Sequence, residues 1–385
     1  QMRLDGFRNP TAIRLVPANQ DGISAQAPFR YFLGAVLDEP PTVSLSLSGI
    51  QSAVTPIALL PVSVQVNDDY GVESTDVYVA RSNEASESAE EKTTDDLAQA
   101  DNDASIHISL QPDRDGAAAT AIDLRELTNQ GVIPALEPGS AISVYAEAAD
   151  GFDLEGEHLT TSDLFRLQVV TPEELLPLLE RRELGLRTRL EQTVSETLGL
   201  RDQLVRFRVE GFEIGSPADP AAETDEIEQM RLRELQIIRL RVQQSGLQAA
   251  KTAEELTGIA ESLDDILQEM VNNRVDSKDR QERLGSGVRD PLRQIADISM
   301  EQLKDQIKLI EQAVEEAQVA SDRNEEAIKM VDQVLLDLTA VLEKMLDLES
   351  YNELLDLVRG LIQDQESLKK ETQEERKRRV RSLFD

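Results

Sequence analysis

Cysteine and tryptophan are absent from the 385 residues, and histidine occurs only twice. Without thiols the chain can form no disulfide, no thiolate nucleophile and no zinc site of the cysteine type. Aromatic residues make up 3% of the total. Large globular enzymes usually bury more ring surface, whereas helical rods fill their seams with Leu, Ile, Val and Ala. No apolar run approaches the roughly 20 residues that span a bilayer. The first residues, "QMRLDGFRNP", have no apolar core behind their charges and do not read as a signal peptide. They open in mid-stride, so the chain is expected to be a fragment or processed piece of a longer protein.

Positive charge is also scarce. Forty Lys and Arg face 74 Asp and Glu, a formal net charge of -34. That field repels phosphate backbones, which argues against nucleic acid as a partner. It suits a basic partner or a medium containing divalent cations.

What is present changes character near residue 171. Before it, short alternating runs are punctuated by Pro, Gly, Asp and Asn. Residues 29–37 read as the last strand of a β-rich unit covering 1–37, and "DEPP" at 38–41 as a stiff linker. Strands are predicted at 42–48, 60–66, 74–80, 105–110, 119–123, 141–147 and 164–170. Seven short strands with turn signals between them predict an Ig-like antiparallel β-sandwich over 38–170. The acidic stretch 83–104 holds almost no large apolar group, which predicts a mobile insertion.

After residue 171 the period is helical. Thr171, Pro172, Glu173 and Glu174 form a capped helix start. The first helix is predicted to reach about 210, and a second to run from about 222 to 272. On the second, Ala249, Ala253, Leu256, Ala260, Leu263, Leu267 and Met270 form a heptad seam. A polar turn over 273–288 should follow, then one continuous helix over 289–348. That helix repeats the spacing through Leu303, Ile307, Ile310, Val314 and Ala317, and again through Ala327, Val331, Val334, Leu338, Val341, Met345 and Leu348. "ESYN" at 349–352 is a candidate kink. The region 171–385 therefore reads as a long antiparallel α-helical coiled-coil bundle, its seams closed within the chain or against another chain.

"VNDDYGV", with "PPTVSLSLSG" before it and "VVTPEELLPLLERRE" after it, resembles a bacterial family of large membrane-anchored proteins common in planctomycetes. The resemblance covers roughly residues 29–385. It implies a DDYG turn within an Ig-like domain, a long helical region, an anchor upstream and a cell-envelope, periplasmic-side location. It implies no established activity.

Candidate sites are few. Asn67, Asp68 and Asp69 stand between two strands, and Asp150 and Asp153 lie in "AADGFDLEG". Two readings stand for them. They are turn formers, with Gly71 supplying a positive φ, or they are hard oxygen ligands from two loops that meet around calcium. No other cofactor is expected. Asp68 and Asp69 as an acid–base pair lack any accompanying His, GxSxG or phosphate loop. His107 reads as a solvent-face strand residue and His158 as a polar-loop residue. "GSGVRDP" at 285–291 reads as a flexible helix–helix turn rather than an anion cradle. The basic end, Lys369 to Arg381, reads as cations at a helix C-terminus, or as a surface for anionic lipid or another copy. The expectation is a non-enzymatic structural or scaffolding protein that works through protein partners or self-association. The alternative is a calcium-dependent adhesion or binding module using loops 67–69 and 150–155.

Overall fold

The computed structural model describes residues 11–18, 21–24, 27–34, 38–69, 71–82, 106–151, 158–210 and 225–381. The expected insertion at 83–104 lies outside them. The chain forms β sheets and long helices, divided into two compact units. One is Gln1–Pro172 together with Asn272–Arg274, and the other is Glu173–Val271 with Val275–Asp385.

In the first unit, strands β1 (Thr11–Leu15) and β2 (Phe29–Leu33) pair antiparallel as a separate two-stranded sheet. The remaining strands are β3 (Thr42–Leu47), β4 (Ala53–Val54), β5 (Leu59–Asn67), β6 (Val72–Ser82), β7 (Ile106–Leu110), β8 (Ala117–Asp123), β9 (Ala141–Asp150), β10 (Leu159–Thr161) and β11 (Phe165–Val169). One sheet has the order β4-β11-β9-β6-β7, with β10 added to β9; the other is β3-β5-β8. All these pairings are antiparallel except that of β11 with β4.

Alternation decides which side chains face inward, because strand residues two apart share a face. On β5, Leu60, Val62, Val64 and Val66 are buried, and on β9, Ile142, Val144, Ala146 and Ala148 are buried. They join Val77, Val79, Ile122 and Leu167 in one apolar cluster fed by both sheets. Gly116 is required where it stands. Its φ is 78°, and a Cβ there would sit 1.9 Å from the Val66 carbonyl oxygen.

Helix α1 (Leu124–Asn129) is capped by Asp123, whose side chain accepts from the Arg125 and Glu126 N–H groups. Asn272, Asn273 and Arg274 are tied into this unit. Asn272 Nδ2 donates to the Ser48 and Gly49 carbonyls. Thr55 N donates to Asn273 Oδ1 at 2.7 Å, and Thr55 Oγ1 donates to the Asn273 carbonyl at 2.8 Å. Arg274 donates to Asp123 Oδ2 at 2.5 Å, which holds that carboxyl below its usual range.

The second unit contains α2 (Pro172–Glu210), α3 (Asp225–Asn272), α4 (Lys278–Leu284), α5 (Asp290–Gln294), α6 (Glu301–Gln312) and α7 (Ala317–Arg381). Wide π-helical turns at Gly285–Arg289 and Ile295–Met300 flank Pro291 in α5. Proline lacks the N–H for a regular helical bond and clashes one turn back, and wider turns relieve both. The expected polar turn over 273–288 is therefore confined to 273–277; from Lys278 onward the chain is helical again. "GSGVRDP" is part of that helical run, with Val288 buried and Arg289 paired to Asp264 and Asp290. The continuous helix expected over 289–348 is broken at 313–316, whereas 349–352 continues within α7.

Cross-helix partners run in reverse order along the chain. Between α2 and α3 the pairs are Arg182–Glu269, Arg189–Glu255, Lys251–Glu196 and Ser245–Gln203. Between α3 and the run 289–315 they are Asp264–Arg289, Gln243–Glu311 and Arg239–Glu315. Between α2 and α7 they are Asn324–Leu204 and Arg201–Asp332. The predicted seam on α3 is buried at every position, and Ile259 and Ile266 are buried beside it. Two buried lines on one helix fit partners on two sides. On α2 the buried spacing runs Leu179, Glu183, Leu186, Leu190, Thr193, Thr197, Leu200, Leu204, Phe207. Glu183 occupies a position that this spacing assigns to an apolar residue.

Candidate functional site

The acidic corner of the first unit lies where β5 ends and β9 meets β10. Asn67 is exposed at the end of β5, and its carbonyl accepts from Thr42 Oγ1. Asp68 turns the chain: its Oδ2 accepts the Gly71 N–H at 2.5 Å, and Gly71 has φ 114°. Asp69 is exposed, and Asp153 lies outside the described residues. The Gly151 N–H donates to the Gly71 carbonyl at 3.0 Å, so the turn after β5 and the end of β9 are neighbours.

Asp150 contacts His158 Nδ1 through Oδ2 at 2.8 Å. It is fully buried at the end of β9 and faces His158. The His158 N–H donates to Asp150 Oδ1 at 2.9 Å, while Nδ1 lies 2.8 Å from Asp150 Oδ2 and 3.0 Å from Asp38 Oδ2. The Asp38 side chain is 3% exposed and that of His158 is 35% exposed. Asp38 Oδ1 is buried with no hydrogen-bond partner among the described residues. His158 is thus more than a polar-loop residue; it joins two carboxylates from distant parts of the chain.

Electrostatics follow from this packing. Burial, and then the nearby charges of Asp150 and Asp69, push the Asp38 carboxyl above its usual range, against the His158 hydrogen bond. The Asp150 hydrogen bond does most to push the His158 imidazole up, with Asp38 adding to it and burial opposing it. A proton on Nδ1 therefore sits between two acceptors. No local motif announces this trio, because Asp38 and His158 are 120 positions apart. The usable signal was the β9–β10 hairpin, whose register brings residue 158 back beside residue 150.

His107 lies on β7 and is mostly exposed, with Nε2 2.9 Å from Asp76 Oδ1. In the second unit a groove of about 300 Å³ is lined by Gln203, Arg206, Phe207, Arg241 and Gln244, a set without a nucleophile or a carboxylate.

The other feature with functional potential is a face of α3. Met230, Ile237, Leu240 and Leu247 are 58, 51, 59 and 72% exposed. Their spacing of seven, three and seven places them on one heptad line, apart from the buried line through Val242, Ser245 and Ala249. Arg231, Arg233, Arg239 and Arg241 are interleaved with them, in a chain of net charge -34. Side chains after Leu346 on α7 are described only in part, so the basic end contributes no geometry. Comparison with known protein families and with curated proteins finds no match for this chain.

Proposed function

We propose that this is a non-enzymatic structural or scaffolding protein in which an Ig-like β-sandwich precedes an antiparallel helical coiled-coil bundle, and that it acts by helix-mediated self-association. The observation that carries the reading is the exposed apolar line on α3. A line with heptad spacing on a helix already buried on another side is suited to a further helix. Arg231 and Arg233 beside that line favour an acidic surface, and another copy of so acidic a chain supplies one. Location in a bacterial cell envelope, with attachment through a region outside this chain, rests on the DDYG-family resemblance. Among the described residues no helix is long and apolar enough to cross a membrane.

Sedimentation equilibrium over a wide concentration range tests the association. The wild-type chain should show a concentration-dependent dimer or higher species. The double substitution Ile237→Asp, Leu240→Asp should weaken it by about 10- to 100-fold, because each buries a charge where an apolar anchor sat. A wild-type chain that stays monomeric throughout the range, or a variant that associates equally well, removes this reading.

A second reading, a cation-dependent binding module, is favoured by one observation: Asp150 is buried in a cluster with Asp38 and His158.

A further inference from the structure

We infer that Asp38, Asp150 and His158 form a binding site for a divalent transition-metal cation of the zinc class, a ligand set distinct from the oxygen-only calcium loops expected at 67–69 and 150–155. One ligand atom from each residue lies within 4.8 Å of the other two. His158 Nδ1 lies 2.8 and 3.0 Å from the two carboxylate oxygens, near the roughly 3 Å between donors that share one ion at about 2 Å each. Two carboxylates balance the charge of a divalent cation, and neutral imidazole completes a set of two oxygens and one nitrogen.

The chemistry of the donors selects the ion. Calcium takes six to eight oxygens, and imidazole is a poor ligand for it. Zinc and its neighbours accept imidazole and carboxylate together and are satisfied by three protein ligands with one position open to water. Independent support comes from Asp38. Its Oδ1 is buried and has no hydrogen-bond partner among the described residues, although its side chain is almost wholly enclosed. A buried carboxylate oxygen without a donor is costly, and a cation beside it removes that cost. For the ion to bind, Nδ1 gives up any proton it holds, which leaves a neutral imidazole protonated at Nε2 with the Nδ1 lone pair free. One outer contact is already in place, since Asp150 Oδ1 accepts the His158 backbone N–H and fixes the hairpin end.

The two histidines make the test internally controlled. Imidazole resonances of the full chain are recorded while zinc chloride is added, with cobalt chloride as a paramagnetic substitute. The His158 signals should shift and saturate at one equivalent, while those of His107, beside the single carboxylate of Asp76, stay in place. Calcium chloride at the same concentration should leave both unchanged. Asp38→Asn should weaken uptake at least about tenfold, since loss of a ligand costs no less than loss of an outer partner. His158→Gln should do the same and guards against a folding defect peculiar to the first variant. Failure of His158 to shift, equal movement of both histidines, uptake that never saturates, or undiminished binding in both variants would each overturn the assignment. None of these outcomes bears on self-association through α3, so the two readings stand or fall separately.

Discussion

Raising the pH from 4.5 to above 7 is expected to weaken the helical unit through Glu183, and Glu183→Gln is expected to abolish that contribution. Glu183 is 9% exposed, and its Oε1 has no hydrogen-bond partner among the described residues. Burial pushes its carboxyl up to about 7 from an ordinary 4.5, with Arg280 on α4 opposing and Glu180 on its own helix adding to the rise. Glu180 in turn receives the Arg280 guanidinium at 2.8 Å, so that cation is shared with a second carboxylate.

The sign follows from proton counting. Between the unfolded value of about 4.5 and the folded value of about 7, the folded state keeps a proton that the unfolded chain has lost. Stability from this group is therefore present at low pH, falls as pH rises through that window, and levels off above it. A shift of this size corresponds to about 3 kcal/mol at full ionisation. Glutamine imitates the protonated acid. The stability difference between Glu183→Gln and wild type, read from helical circular dichroism in denaturant, should be near zero at pH 4.5. It should approach about 3 kcal/mol in favour of the variant by pH 8. A difference that does not change with pH means that the Glu183 carboxyl titrates alike in the folded and the unfolded chain.

The second large effect is expected at Asn273. Its Oδ1 is the acceptor for the buried Thr55 N–H, and both residues are inaccessible to water. Asn273→Ala leaves that N–H buried without its acceptor, at a cost of about 1–3 kcal/mol. The loss should appear in the β unit, where Tyr78 and Tyr145 stack at 5.1 Å and give a local near-ultraviolet signal. Lys278→Ala, an exposed position a few residues on, should change stability by no more than about 0.5 kcal/mol. Equal stability of Asn273→Ala and wild type would show that the Thr55 bond is replaced on removal of the side chain.

Much of the local structure could be read from the chain because two periods are written in it plainly. Val62, Val64 and Val66 alternate strictly, as do Ile142, Val144 and Ala146, and these strands fall where expected. The α3 seam from Ala249 to Met270 repeats every three and four residues and is buried throughout. What was missed has no local signature. The break at 313–316, in "AVEE", contains neither glycine nor proline; it is fixed by reversed partners such as Gln306 with Arg323 and Glu326. Asn273 reads as an ordinary turn residue, and its partner Thr55 lies 218 positions away. Strands β4 and β10 are too short for alternation to register.

The candidate sites divide in the same way. Asp150 was legible as an acidic corner residue, whereas Asp38 and His158 acquire a shared role only through the β9–β10 register and the return of residue 38 to the hairpin end. Glu183 was hidden for a different reason. A charged residue among leucines reads as solvated, and only the spacing from Leu179 to Leu186 places it on the buried line.

Association through α3 is the central claim, and the absence of cysteine permits a direct measurement. A spin label at Glu234→Cys, an exposed position beside the Met230–Leu247 line, can attach nowhere else in the chain. Pulsed dipolar spectroscopy on the singly labelled protein should report a defined distance between labels on two copies, and that signal should vanish when Ile237→Asp and Leu240→Asp are added. A singly labelled chain that shows no dipolar modulation at concentrations where association is expected, or one whose modulation survives both substitutions, contradicts the account.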